Sequence, residues 1–130
     1  MTLQEGMEGL TPKQRADLHV MIGLRMREQG QLDQAIHHLS QAVALSSDHI
    51  DAYLELGKVY LERREFQQAL KTYQKAISVA GTDYRPYYYA GLLLKDNKDY
   101  MAAEAMLRRA AQLAPNEVAV HRQLGAVVAL

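Results

Sequence analysis

The sequence predicts an all-α fold, a solenoid of antiparallel helix hairpins stacked one on the next, and three observations carry that prediction. The first is a period of thirty-four residues: Gly23, Gly57, Gly91 and Gly125 share one register, as do Ala35, Ala69 and Ala103, and again Ala42, Ala76 and Ala110. A fixed period of this length marks a stacked repeat architecture. The second is helical spacing, which occurs twice within residues 50–83. Tyr53, Leu56, Gly57 and Tyr60 stand three or four apart, and so do Phe66, Ala69, Leu70, Tyr73, Ala76 and Ile77. Each set therefore lies along one side of a helix. The third is the short break at Arg63 to Glu65, which makes the two helices antiparallel neighbours; the small Gly57 and Ala69 leave room for Tyr60 and Tyr73 between the axes. One hairpin still leaves an apolar flank bare, and only a second hairpin stacked on it covers that flank.

The elements follow in order. Residues 1–10 hold two glycines and little periodicity, and are expected to form a mobile or loosely docked lead-in. At Thr11 a capping hydroxyl, a proline suited to the first helical position and a Gln able to reach back to the cap start a helix from about Pro12 to Gly30. Its partner runs from about Leu32 to Leu45. Ser46, Ser47 and Asp48 form a turn in which Asp48 is expected to cap the third helix, Ile50 to Arg63. A fourth helix spans Phe66 to Ala80, and Gly81 is expected to end it in the left-handed conformation. Asp83 caps a fifth helix that tolerates Pro86 in its first turn and stops near Asn97. The sixth occupies Tyr100 to Leu113, Pro115 and Asn116 punctuate, and a seventh runs to Leu130.

These residues resemble the tetratricopeptide repeat. Seven of the family's eight signature places are met in residues 50–83 by Tyr53, Leu56, Gly57, Tyr60, Ala69, Tyr73 and Ala76, with Gly81 where proline is usual. In residues 16–49 the matches are Ile22, Gly23, Met26, Ala35, Leu39 and Ala42, with His19 in a bulky apolar place and Ser47 for proline. In residues 84–117 they are Tyr87, Gly91, Leu94, Ala103, Leu107, Ala110 and Pro115, with Ala90 smaller than expected. The expected organisation is therefore an extension (1–10), three repeats (11–49, 50–83 and 84–117) and the first helix of a fourth, or a capping helix (118–130). The resemblance implies a right-handed superhelical solenoid whose first helices line the inner curve, and a role in protein–protein interaction.

Composition narrows the function classes. Fifteen basic and fifteen acidic residues cancel, which argues against a nucleic-acid or anionic-membrane surface. No stretch is apolar and long enough to cross a bilayer. The chain has no cysteine, and its opening carries acids rather than a basic segment before an apolar run; both agree with a cytoplasmic location. His37 and His38 are adjacent and diverge by about 100° around a helix, and no histidine pair has the carboxylate or thiolate company of a zinc site. His19 and His121 hold matching places and are expected to be packing residues with a polar tip. There is no phosphate loop, no nucleophile elbow and no paired acids in an apolar setting. Neither an enzyme nor a bound metal or cofactor is expected.

What remains is a surface. A second stripe on each first helix, which in the family faces the inner curve, holds Asp17, Val20, Leu24 and Arg27, then Asp51, Leu54, Lys58 and Leu61, then Arg85, Tyr88, Leu92 and Lys95. Apolar residues recur there among cations. The expected partner-binding residues are Val20, Leu24, Leu54, Lys58, Arg85, Tyr88 and Leu92, with Leu54, Tyr88 and Leu92 making apolar contact and Lys58 and Arg85 holding an acidic group of a peptide or partner segment. The carboxylate-gripping subclass of the family uses Lys, Asn, Asn, Lys and Arg at places that here hold Val20, Leu24, Glu55, Arg85 and Tyr89, so recognition of chaperone tails is not expected. The apolar end from Ala126 to Leu130 is expected either to be continued by the natural chain or to pack on another copy. The alternative reading is accordingly a structural module forming a homodimer or higher oligomer through Val127, Val128 and Leu130. The non-catalytic arm of a larger protein is the third.

Overall fold

The computed structural model describes residues 8–130. Among them are seven α-helices and no strand: α1 (Pro12–Glu28), α2 (Leu32–Leu45), α3 (Ile50–Glu62), α4 (Phe66–Val79), α5 (Tyr84–Asp96), α6 (Tyr100–Leu113) and α7 (Val118–Val128). The fold is all-α, as the period requires. Two compact units divide the chain after Glu65, so that α1–α3 belong to the first and α4–α7 to the second. The predicted lead-in lies, for residues 1–7, outside the described residues.

Local chemistry sets where each helix starts. Thr11 and Gln14 form a reciprocal capping box: the Gln14 N–H donates to Thr11 Oγ1 at 3.1 Å and the Thr11 N–H to Gln14 Oε1 at 2.9 Å. Asp83 caps α5 by accepting from the Arg85 N–H at 3.0 Å. The cap of α3 differs from expectation, because His49 takes the place assigned to Asp48. Its Nδ1 accepts from the Ala52 N–H at 3.1 Å, while Asp48 is occupied by the Ser46 hydroxyl at 3.0 Å. An imidazole lone pair serves where a carboxylate was anticipated.

Helix ends repeat with the period. Gly30, Arg64 and Lys98 all have positive φ, at 77°, 63° and 66°. The following residue's N–H returns to the carbonyl five places back in each case, Gln31 to Met26, Glu65 to Tyr60 and Asp99 to Leu94, at 2.8–2.9 Å. This is the Schellman arrangement. Only the first copy has the glycine that this conformation favours. Gly81, expected to be left-handed, is not; residues 80–83 instead close a turn through the Asp83 N–H and the Ala80 carbonyl at 3.1 Å, as 114–117 do around Pro115. A position that accepts proline in one copy needs negative φ in all of them.

Packing within each unit follows the small and large residues. In the first, Ala16, Ala35, Leu39, Ala42, Leu56 and Val59 form a buried core against which Met26, Ile36 and Tyr60 pack. In the second, Leu94, Ala103, Leu107 and Val127 do so with Leu70, Met106 and Leu124. Burying a leucine such as Leu39 or Leu107 contributes roughly 1.5–3 kcal/mol. The helices approach closely at two glycines: a Cβ on Gly23 would stand 2.8 Å from Leu39 Cγ, and one on Gly91 2.7 Å from Leu107 Cγ.

Candidate interaction surfaces

In the first unit the second stripe of α1 and α3 is largely closed by its own contacts. Val20 and Leu54 are buried, at 9% and 3% exposed, and Val20 belongs to the first core, so neither forms an open face. Leu24 is half-buried and packs against the same core. Arg27 is held between Glu55, at 3.2 Å, and Glu62, while Lys58 Nζ reaches the other Glu55 oxygen at 3.4 Å. Two cations and two carboxylates thereby neutralise one another around a shallow hollow of about 310 Å³ lined by Leu24, Arg27, Glu28 and Glu62. Asp17 accepts from His49 Nε2 at 2.7 Å. Since His49 Nδ1 is an acceptor in the α3 cap, its ring proton sits on Nε2.

The second unit offers rings. On α5, Arg85, Tyr88, Leu92 and Lys95 are all half-buried. Tyr88 meets Tyr89 at 5.5 Å between centroids, and Tyr89 stacks on Tyr73 at 5.9 Å, so three aromatic side chains brace one another. The Arg85 guanidinium turns back onto the carboxylate that caps its own helix, with Nη2 at 2.8 Å from Asp83 Oδ2. That hydrogen bond holds the Asp83 carboxyl below the usual carboxylate range, against the opposing effect of burial. Tyr84 donates to Glu117 at 3.4 Å, and burial, with the nearby carboxylate, pushes its hydroxyl pKa up. Lys95 Nζ donates to the neutral Gln123 at 2.6 Å, so its charge is not cancelled by that contact. Beside it lies a hollow of about 370 Å³ lined by Lys95, Asp96, Lys98, Tyr100, Ala126 and Leu130.

The residues expected to mediate self-association do not act together. Val127 is 5% exposed and belongs to the second core with Leu94 and Leu107, whereas Val128 and Leu130 are open at 52% and 75%. Val127 and Val128, adjacent in α7, diverge by about 100° around its axis, and Leu130 lies beyond the end of that helix.

Two polar arrangements escaped a reading along the chain. His19 and His38 face each other across the α1–α2 hairpin with Nδ1 atoms 3.0 Å apart, and burial, then the neighbouring imidazoles, lower both pKa values. A hairpin that folds near Gly30 brings such positions opposite, and that pairing rule was the available signal. The Arg27 clamp by Glu55 and Glu62 had no comparable signature, since it depends on α1 meeting α3.

A family model described as tetratricopeptide repeat matches residues 26–93, and another of the same description matches residues 84–117. The BBSome complex member BBS4 homolog of Drosophila melanogaster is 32% identical over 78 residues, which cover 59% of this chain and 16% of that protein. The chain thus corresponds to a minor part of that relative's length. Among solved structures, the first TPR of Spaghetti (RPAP3) bound to the HSP90 peptide SRMEEVD superimposes with a TM-score of 0.82 at 17% identity, covering 92% of this chain and 94% of that one. The Yersinia enterocolitica type III secretion chaperone SycD, in complex with a peptide of the translocator YopD, gives 0.79 at 17% identity, covering 87% and 92%. At these identities the likeness is one of fold.

Proposed function

The chain belongs to the tetratricopeptide repeat family, and from that premise we propose that it is a non-catalytic interaction module that binds an extended peptide segment of a partner protein through the α5 face. The observation that carries this reading is the contrast in side-chain state along the stripe. Val20 and Leu54 are consumed by packing and Lys58 is drawn to Glu55, while Tyr88 and Leu92 stay partly open beside Arg85 and Lys95. Tyrosine rings braced by neighbours present apolar area at little entropic cost; Lys95, whose contact to Gln123 leaves its charge in place, attracts a carboxylate, and the Arg85 guanidinium binds one by exchanging Asp83 for it. The ligand class that fits is a segment with an apolar side chain next to an acidic one. Two of the fold neighbours carry peptides, in line with this use of the fold.

Selection from a random peptide display library, followed by anisotropy titration of the enriched sequences, tests the proposal. Tyr88→Ala and Arg85→Ala should each weaken binding by about thirtyfold, the size of an interface hot spot of about 2 kcal/mol. Lys58→Ala should leave it within about threefold, as expected for a partly exposed ion pair. Equal affinity for the Tyr88→Ala variant and the parent would move the binding face elsewhere.

A further inference from the structure

Where the repeat places a bulky apolar residue, α1 carries an imidazole, and a second imidazole faces it from α2. His19 and His38 stand with Nδ1 atoms 3.0 Å apart, and their ring centroids are 5.3 Å apart at an interplanar angle of 30°. The corresponding places in the second unit hold Tyr87 and Met106, so the pair is a property of this hairpin and not of the repeat. Leu39, next to His38, fills the space over Gly23, one turn from His19; a Cβ there would stand 2.8 Å from the leucine Cγ. The backbones that carry the two rings are thereby fixed at close approach, while the rings themselves are only half-buried and reach solvent.

We infer that His19 and His38 form a two-histidine site for a divalent transition-metal ion that prefers right-angled ligands, Cu(II) or Ni(II). A contact of 3.0 Å between two imidazole nitrogens holds one proton, donated by one Nδ1 and accepted by the other. The ion takes the place of that proton. The donor ring carries its proton on Nε2 instead, both Nδ1 lone pairs bind the ion, and the pair loses no proton. With metal–nitrogen bonds of about 2.0–2.1 Å, nitrogens at this separation subtend roughly 90–97° at the ion, whereas a tetrahedral ion holds them about 3.3–3.4 Å apart. Such an angle suits tetragonal Cu(II) or Ni(II) rather than Zn(II). To aim both lone pairs at one point beside the line joining them, the rings swing about χ2, which is a broad torsion in histidine. Among the described residues no group of three or more His, Cys, Asp and Glu side chains could hold a metal ion, so water completes the coordination and the ion exchanges freely. Bound, it ties α1 to α2 and stabilises the first hairpin. The site shares no residue with the α5 face, and neither proposal depends on the other.

The probe is nickel chloride, titrated into the isotope-labelled protein at about pH 7.5, above the ordinary histidine range, and followed by paramagnetic loss of amide signals. Losses that saturate at one ion per chain and centre on His19 and His38 are expected, together with a urea midpoint that rises with the ion. His19→Gln and His38→Gln should each weaken Ni(II) binding at least about tenfold, since the loss of a direct ligand costs no less than the loss of a group that merely orients one. His37→Gln, which leaves both ligands in place, should stay within about threefold. Zn(II) should compete more weakly than an equal concentration of Ni(II). Losses centred on His49 or His121, undiminished affinity in either ligand variant, an equal loss in His37→Gln, or tighter binding of Zn(II) would each overturn the inference. The position of the losses in the parent protein decides the matter even where a variant fails to fold.

Discussion

In both units a first-helix glycine receives a second-helix leucine, Gly23 taking Leu39 and Gly91 taking Leu107, yet the polar groups beside the two contacts differ. The first hairpin sets His19 against His38 with nitrogens 3.0 Å apart; in the second the corresponding places hold Tyr87 and Met106, and Arg109 lies over the Tyr87 ring at 5.9 Å. The first-helix faces diverge as well. Arg27 and Lys58 pair with Glu55 and Glu62 in the first unit, while the second presents a braced set of tyrosines, with Lys95 donating to the neutral Gln123. The lesson is that close packing is the property the repeat preserves, and that charge and ring chemistry are free to vary around it. In the first unit the stripe cations Arg27 and Lys58 pair with Glu55 and Glu62; in the second, Arg85 pairs with Asp83 while Lys95 donates to a neutral amide.

The sharpest way to break the comparison is to change the same residue type where the contact is filled and where it is open. Gly91→Ala and Gly125→Ala gain the same helical preference, roughly 1 kcal/mol, but only the first pushes a methyl against Leu107. Urea unfolding should therefore show Gly91→Ala less stable than Gly125→Ala by about 1–3 kcal/mol, the cost of overpacking. Equal stabilities would mean that Leu107 yields freely and that the contact does not define the hairpin.

A smaller effect is expected at the turns. Lys98 adopts at φ 66° the conformation for which Gly30, at 77°, is suited. Lys98→Gly should raise stability by about 0.5–1 kcal/mol, and Gly30→Ala should lower it by a similar amount. Melting curves of the two variants, moving in opposite directions, check this.

The smallest effect concerns pH, because His19 and His38 are both partly exposed. Folding lowers the pKa of His19 and His38, so below the ordinary value of 6.5 the unfolded chain binds more protons than the folded one. Stability from this pair is complete above pH 6.5 and is lost as pH falls from there through the lowered values. His38→Met, which installs the residue of the corresponding place in the second unit, should shrink the loss between pH 7.5 and 5.5 in urea titrations. A loss that stays as large would place the titrating groups elsewhere.

Helices, their order and most caps were legible in the chain because they depend on neighbours within a few residues. Thr11, Pro12 and Gln14 act over one turn, and Asp83 caps the helix that begins beside it. The two local misreadings have local causes. His49 outcompeted Asp48 for the α3 cap, and Gly81 was assigned the left-handed conformation from its residue type, although Pro115 in the same register excludes it.

The candidate site was less legible. Helical spacing placed Val20, Leu54, Tyr88 and Val127 on stripes, but spacing reports only direction around one axis, and whether a side chain is covered depends on which other helix arrives there. A period of thirty-four residues with small and large residues in register was enough to specify hairpins, because backbone geometry and the need to bury an apolar stripe leave few other solutions. Which cations are neutralised and which rings brace one another came from side chains that meet across helices. Those meetings are set by close packing among residues far apart in the chain, to which no local periodicity is sensitive.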